Sequence, residues 1–228
     1  MIGRRLSCAL LASLSSALVA AVLTAPPGTA LAASGGGCQL QGQAQFSPGL
    51  TAGAGSFSYS FSGGLTGCAS SDSTAPATGN VGAGNVVAET VTVATAGGPV
   101  AATFQYQEPV PTGSGGCGSS TTSGDAFAVW ADGTRTAISY TTSGAAAMVV
   151  LQGSVVASVV LQPLPNQGVT VAGVFYPAPA YTFTTTRDAG DTAIGVLTFQ
   201  PPDPTACNTA AGVTAAAIGG TVDLGSAQ

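Results

Sequence analysis

Apolar and polar residues alternate through most of this chain from Cys38 onward. In CQLQGQAQF (38–46) glutamines occupy four odd-numbered positions and apolar side chains lie between them, and SFSYSFS (56–62) alternates three aromatic residues with serines. A period of two is the pattern of strands that bury one face. Similar runs predict further strands at 85–94, 100–107, 125–131, 134–141, 147–161, 169–176, 181–186, 193–200 and 213–223.

Short loops rich in glycine and proline separate these runs, and the chain lacks capped helical periodicity after its N-terminal segment. About ten strands joined in this way predict an all-β fold, a single antiparallel β-sandwich of Ig-like or Greek-key style. Segments 69–80 and 108–124 are the best linker candidates. One domain over 33–228 is favoured over two halves that divide near residue 110, because each half is small for a sandwich.

The segment FAVWADGTRTAI (127–138) holds the only tryptophan. Its Asp-Gly pair predicts a two-residue type I′ hairpin turn, which places Trp130 opposite Arg135 and puts Phe127 and Ile138 together on the other face. Three roles stay open for the pair: a cross-strand cation–π brace, a core position covered by a second sheet, or an aromatic platform for a sugar ring. Trp130 and Arg135 are therefore the candidate ligand-binding residues.

The first 32 residues are organised as a secretory signal peptide. Arg4 and Arg5 precede an apolar stretch over 6–23, and Ala30-Leu31-Ala32 offers a cleavage site of small residues. The sequence around the first cysteines does not match a lipid-attachment motif. We expect a secreted protein, extracellular or associated with the cell envelope, without membrane insertion after the signal is removed.

Four cysteines follow the signal segment, and in an oxidising compartment they predict two disulfides. Of the three possible connectivities we expect Cys38–Cys68, which ties the open end of the first hairpin, and Cys117–Cys207, which staples the C-terminal half. The apolar positions are even-numbered before the first turn and odd-numbered after it. If Cys38 lies opposite Cys68, even-numbered residues of the first strand pair with even-numbered residues of the second, which would put the two apolar sets on opposite faces. A one-residue bulge near Gly63-Gly64 or Gly67 would bring them to the same face.

Charge excludes several kinds of partner and chemistry. After the signal only Arg135 and Arg187 oppose nine acidic residues, a net charge of −7. Nucleic acid and anionic membrane surfaces need basic patches, so both are excluded as partners. Without histidine or lysine there is no ordinary base for a nucleophilic serine, and without histidine or C-x-x-C spacing no zinc site. We expect no metal, no cofactor and no catalytic residue.

Two acidic segments remain as weaker candidates. TRDAGDTA gathers Arg187, Asp188 and Asp191, which we interpret as a local salt bridge rather than a calcium site or an acid/base pair. QPPDPTAC places Asp203 among three prolines, where a turn former is favoured over a catalyst.

The motifs C-x-L-x-G-x-A-x-F-S-P-G-L (38–50), F-S-Y-S-F-S-G (57–63), W-A-D-G-T (130–134) and F-Q-P-P-D-P-T-A-C (199–207) span nearly the whole exported chain. With them the sequence resembles an uncharacterised group of small secreted β-rich proteins from high-GC Gram-positive bacteria. The resemblance implies export and paired cysteines, and it carries over no activity, substrate or functional residue.

These observations predict a secreted, non-catalytic β-sandwich that acts as an envelope-associated or extracellular interaction module. Its partner would be an extracellular protein or a glycan. Two alternatives stay open: a carbohydrate-binding module that uses Trp130, and a secreted glycoside hydrolase with two carboxylates about 5–10 Å apart.

Overall fold

The computed structural model describes residues 36–225, so the predicted signal peptide (1–32) lies outside the described residues. Strands dominate this region, and its single helical element is a 3-10 helix over Pro204–Asn208. No helix within residues 36–225 is long and apolar enough to cross a membrane. The strands are β1 (Gly36–Leu50), β2 (Gly55–Ala69), β3 (Gly79–Ala83), β4 (Val86–Thr95), β5 (Gly98–Gln107), β6 (Thr112–Gly115), β7 (Ser119–Trp130), β8 (Arg135–Ala145), β9 (Met148–Val156), β10 (Ser158–Pro163), β11 (Gly168–Val171), β12 (Val174–Pro177), β13 (Tyr181–Thr184), β14 (Thr192–Gln200) and β15 (Val213–Gly225).

Eight strands form a closed antiparallel barrel. Around the ring the order is β1, β2, β3, β7, β8, β9, β14 and β15, which is also their order in the chain, and the pairing of β1 with β15 closes it. The all-β prediction is confirmed. The sandwich prediction is not, because the main sheet closes on itself instead of packing against an equal partner.

One position in the barrel wall is shared by two short strands. β3 bonds to residues 61–65 of β2, whereas β6 bonds to residues 55–58, and both also pair with β7. β4 and β5 leave the wall between them. Both short strands fall largely outside the predicted strands, because segments this rich in glycine, serine and threonine carry too little apolar alternation to mark them.

Two insertions into the barrel meet to form a second sheet of four strands, in the order β13, β10, β5, β4. They join where Gln162 and Pro163 pair with Gln107 and Tyr106. The buried face of this sheet packs on the outside of β7 and β8, in a core that includes Val93, Phe104, Tyr106, Phe127, Ala137, Leu161 and Phe183. Two sheets therefore do pack face to face, but only over one side of the barrel.

Two predicted strands are each divided in the structure. The 147–161 run breaks at Ala157, where the chain passes from β9 in the barrel to β10 in the added sheet. The 169–176 run is a hairpin of β11 and β12, whose turn residues Ala172 and Gly173 both have positive φ, 48° and 80°. An alanine seldom adopts that conformation, so the residue types at this position indicated a turn only weakly.

Both predicted disulfides are confirmed: Cys38–Cys68 and Cys117–Cys207. The first needs a one-residue change of register, and the structure has it: Leu40 pairs with Leu65, but Gly37 pairs with Ala69. Gly67 lies at this irregularity with φ of 58°, as the parity of the apolar positions predicted. Two disulfides are consistent with an extracellular protein.

The hairpin around Asp132-Gly133 has a three-residue loop, so the predicted two-residue turn is wrong. The carbonyl of Trp130 accepts from the Gly133 N–H at 2.9 Å, and the Trp130 N–H donates to the Thr134 carbonyl at 2.9 Å. Gly133 has φ of 81°, the left-handed residue that follows a type I turn in a loop of this length. One extra loop residue shifts the register and moves every following side chain to the opposite face.

A buried carboxyl group holds the chain where the first insertion leaves the barrel. Glu108 is 4% exposed, and its side chain accepts a hydrogen bond from the Asn85 N–H at 2.9 Å. The Asn85 amide in turn donates to the Phe61 carbonyl at 2.7 Å, which ties the insertion to β2. Burial raises the pKa of Glu108.

Because that pKa is raised in the folded state, ionised Glu108 lowers stability at pH values above it, and the penalty disappears at pH values below the ordinary glutamate pKa of about 4.3. Glu108→Gln keeps an acceptor for Asn85 and carries no charge. We expect it to melt at a higher temperature than the wild type at pH 7, with the difference vanishing near pH 3.5.

Asp203→Asn is the control of opposite sign. Hydrogen bonds from Thr205 lower the pKa of Asp203, so its ionised form stabilises the fold at pH 7 and that contribution is lost in acid. This variant should not gain stability at pH 7. A Glu108→Gln protein less stable than the wild type at pH 7 would contradict the assignment.

Candidate functional site

The barrel lumen is lined by one face of every wall strand, and that face is almost entirely apolar. Pairing across the ring fixes which residues point inward, because directly paired residues share a face. Larger inward side chains include Leu40, Phe46, Phe61, Leu65, Val81, Trp130, Ile138, Leu151, Leu197 and Ile218. No inward-facing position along these strands, as described, carries a carboxylate or a cation.

The lumen encloses a cavity of about 160 Å³. Small residues create it, since several inward positions of the wall that line the cavity carry alanine: Ala44, Ala83, Ala126 and Ala193. Phe61, Ile138 and Leu151 point inward yet remain partly exposed. Their exposed surface faces the cavity, so the barrel interior is not fully packed by its own side chains.

Trp130 forms part of the lumen wall and is 6% exposed. Its indole N–H donates to the Thr136 Oγ1 at 2.8 Å, and that hydroxyl donates to the Arg187 carbonyl at 3.2 Å. A Cβ on Gly79 would lie 2.9 Å from the indole ring, so glycine is required where β3 passes it. Trp130 therefore offers no exposed aromatic platform, and the predicted sugar-binding surface is absent at this residue.

Arg135 lies on the other side of the barrel wall. It pairs with Val129, not with Trp130, and its guanidinium is 3.3 Å from the Glu89 carboxylate and 5.2 Å from the centre of the Phe183 ring. It also donates to the Tyr181 hydroxyl. Arg135 thus fastens the added sheet to the barrel. The predicted Trp130–Arg135 pair is wrong, because the longer loop turns the two side chains to opposite faces.

Four hydroxyl groups of the lumen are joined by hydrogen bonds, and Ser120 is a further hydroxyl residue that lines the cavity. The Tyr140 and Tyr59 oxygens are 2.5 Å apart, Tyr59 lies 3.1 Å from the Thr122 Oγ1, and Thr122 lies 2.7 Å from the Thr142 Oγ1. Burial raises the pKa of both tyrosines, so both phenols are neutral at physiological pH. We call these four residues the hydroxyl chain.

The hydroxyl chain was not predicted from the sequence. The only available signal was a shared parity: Thr122 and Thr142 are directly paired, and each lies an even number of residues from an inward-facing tyrosine or alanine on its own strand. That signal depends on the correct register of β7 and β8, which the predicted turn did not give.

The predicted local salt bridge around Arg187 is wrong, because Arg187 pairs with aspartates of other loops and not with Asp188 or Asp191. Arg187 bonds to Asp72 at 3.3 Å and to Asp132 at 3.2 Å, and so joins three loops at one end of the barrel. Burial raises the pKa of Asp188, whose φ is 61°. Among residues 36–225 no group of three or more acidic, cysteine or histidine side chains is placed to hold a metal. Asp203 caps the 3-10 helix, as a turn former does.

A second concave surface lies outside the barrel, across β2, β6, β7, β8 and β9. This outer groove has a volume of about 940 Å³ and is lined mainly by hydroxyl side chains. They include Ser56, Ser58, Thr112, Ser114, Thr121, Ser123, Thr141 and Ser143, with Gln152 at one side. The inward-facing Thr122 and Thr142 line both this groove and the lumen cavity.

Comparison with known proteins found no relative of this chain. No family model, no curated protein and no solved structure matches the chain.

The position of Trp130 gives a direct test of the lumen. Trp130→Ala removes a buried aromatic side chain and should lower the free energy of unfolding by about 3–5 kcal/mol. Val129→Ala is the matched control, since Val129 is the next residue, points outward and is 41% exposed. We expect that control to change the free energy by about 0.5 kcal/mol or less.

Denaturant melts of the two variants measure this difference, and acrylamide quenching of the single indole gives a second readout. The indole should be protected from the quencher in the wild type. Equal costs for the two variants together with free quenching would place Trp130 on the surface and contradict the lumen assignment.

Proposed function

We propose that this chain is a secreted, non-catalytic binding protein that holds a small apolar molecule inside its barrel. The observation that carries the proposal is the cavity of about 160 Å³ in the lumen, lined by aromatic and aliphatic side chains. Eight-stranded barrels are just wide enough either to be filled by side chains or to hold one small ligand. The inward alanines that line the cavity favour the second case.

The size of the cavity defines the size of the ligand. An engineered apolar cavity of about 150 Å³ in another protein binds benzene. A void as large as this one represents about 4 kcal/mol of lost packing at about 24 cal/mol per Å³. Larger residues at a few inward positions would recover that stability, so the retained space supports a binding role.

The lumen chemistry supports binding rather than catalysis. Its polar groups are hydroxyls, and the tyrosines among them are neutral at physiological pH because burial raises their pKa. The chain has no histidine, and the inward face of the described strands carries no carboxylate to serve as a general base. The same observations disfavour a two-carboxylate glycosidase within the barrel.

A glycan bound in the outer groove is the second candidate function. The groove lies within the usual volume range of ligand sites, about 300–1,000 Å³, and its many hydroxyl groups suit a polyhydroxylated partner. It lacks an exposed aromatic ring against which a sugar would stack. A glycan-array screen tests this candidate, with Gln152→Ala expected to weaken any specific signal.

Benzene is a suitable probe for the lumen. We expect it to raise the melting temperature of the wild type and to change the emission of Trp130, because the indole lines the cavity. Ala126→Leu should fill part of the cavity, raise the free energy of unfolding by about 1 kcal/mol, and weaken benzene binding at least about tenfold.

Ala217→Leu is the matched control, because Ala217 is exposed on the outer face of β15. It should leave both stability and benzene binding unchanged. The proposal fails if benzene affects neither the melting temperature nor the Trp130 emission, or if Ala126→Leu binds benzene as the wild type does.

A further inference from the structure

The hydroxyl chain has one more hydrogen-bond donor than it uses. Each of its four hydroxyls has a single O–H, so four donors serve three contacts. Among residues 36–225 no other protein group accepts a hydrogen bond from these four side chains. One O–H is therefore left over without a protein acceptor.

The leftover O–H belongs to the threonine end of the chain. Phenols are the more acidic hydroxyls and donate more readily, so the favoured direction runs from Tyr140 through Tyr59 and Thr122 to Thr142. Tyr140 is 7% exposed, whereas Thr122 and Thr142 are partly exposed and line both the cavity and the outer groove. Since both threonines lie on the inward face of their strands, the free donor lies where the cavity meets the groove.

The lumen is also unsuited to charged ligands. Arg135 packs outside the wall against Glu89, and Arg187 binds aspartates of the end loops. Neither arginine faces the cavity. An anion in this apolar space would lose its hydration without gaining a counter-charge, and the one carboxylate that borders the cavity, Asp223, lies on the outward face of β15 opposite Gly37.

We propose, on the basis of the lumen-binding function above, that the ligand is a small neutral carbonyl compound whose oxygen accepts a hydrogen bond from the hydroxyl chain. A hydrocarbon of the same shape leaves the donor unpaired. A buried donor without an acceptor is unfavourable, so the carbonyl compound should be preferred by about tenfold once its greater affinity for water is taken into account.

Cyclohexanone and cyclohexane are the probes, because they have nearly the same shape and only the ketone has an acceptor. The dissociation constant of each is measured on the wild type and on a variant in which Tyr59→Phe, Thr122→Val, Tyr140→Phe and Thr142→Val remove all four hydroxyls with little change of shape. The ratio of the two constants in the variant corrects for the hydration of the ketone.

We expect the preference for cyclohexanone to fall by about tenfold in the variant, while its affinity for cyclohexane stays within a few fold of the wild type. An unchanged ratio would overturn the carbonyl proposal and leave apolar binding in the lumen intact. Failure of both probes to bind the wild type would overturn the proposed function and this inference together.

The infrared spectrum of cyclohexanone bound to the wild type tests the same point without a variant. The carbonyl stretch of the bound ketone should lie at lower frequency than in an alkane solvent, because its oxygen accepts a hydrogen bond. A frequency equal to that in the alkane would show that the donor is not used, and would contradict the proposal even if the quadruple variant fails to fold.

Discussion

The pairing of the first strand with the last is the constraint on which the rest of the structure depends. β1 bonds to β2 on one side and to β15 on the other, and this second contact converts a meander into a closed ring. Closure leaves the eight-stranded wall without a free edge and gives every wall strand one face toward a common interior. The lumen is a consequence of that closure, and its contents follow from which residues the register turns inward.

The interior is unevenly filled. Cys38–Cys68 joins β1 to β2 at one end, and Cys117–Cys207 lies near Leu50, Phe57 and Val213 at the other. Between the ends, inward-facing alanines leave space beside the hydroxyl chain. The two insertions cover one side of the barrel, and Arg135 binds them to it through Glu89. The core between the added sheet and the barrel, which includes Phe104, Phe127 and Phe183, therefore lies outside the wall and not in the cavity.

Much of this fold follows from the sequence, but its closure does not. Alternation predicted most strands, and the number and positions of the cysteines predicted both disulfides. The parity of Leu40 and Phe57 required a bulge near Gly63-Gly64 or Gly67, and the structure has it beside Gly67. Sandwich strands and barrel strands alternate alike, so the pattern carries no information on whether the first and last strands meet. The predicted Trp130–Arg135 site is wrong because of one additional loop residue. A two-residue turn would put Trp130 beside Arg135, whereas the three-residue loop puts the indole in the lumen and the guanidinium outside the wall.

The most direct measurement of the lumen is a crystal structure of the protein under xenon pressure. Xenon enters apolar cavities of this size without needing a specific hydrogen bond. We predict a xenon atom inside the barrel, in contact with Trp130 and Phe61, with the wall strands unchanged. Xenon bound only at the outer surface, or a lumen filled by side chains that leave no room for it, would contradict the conclusion that this barrel keeps an apolar binding cavity.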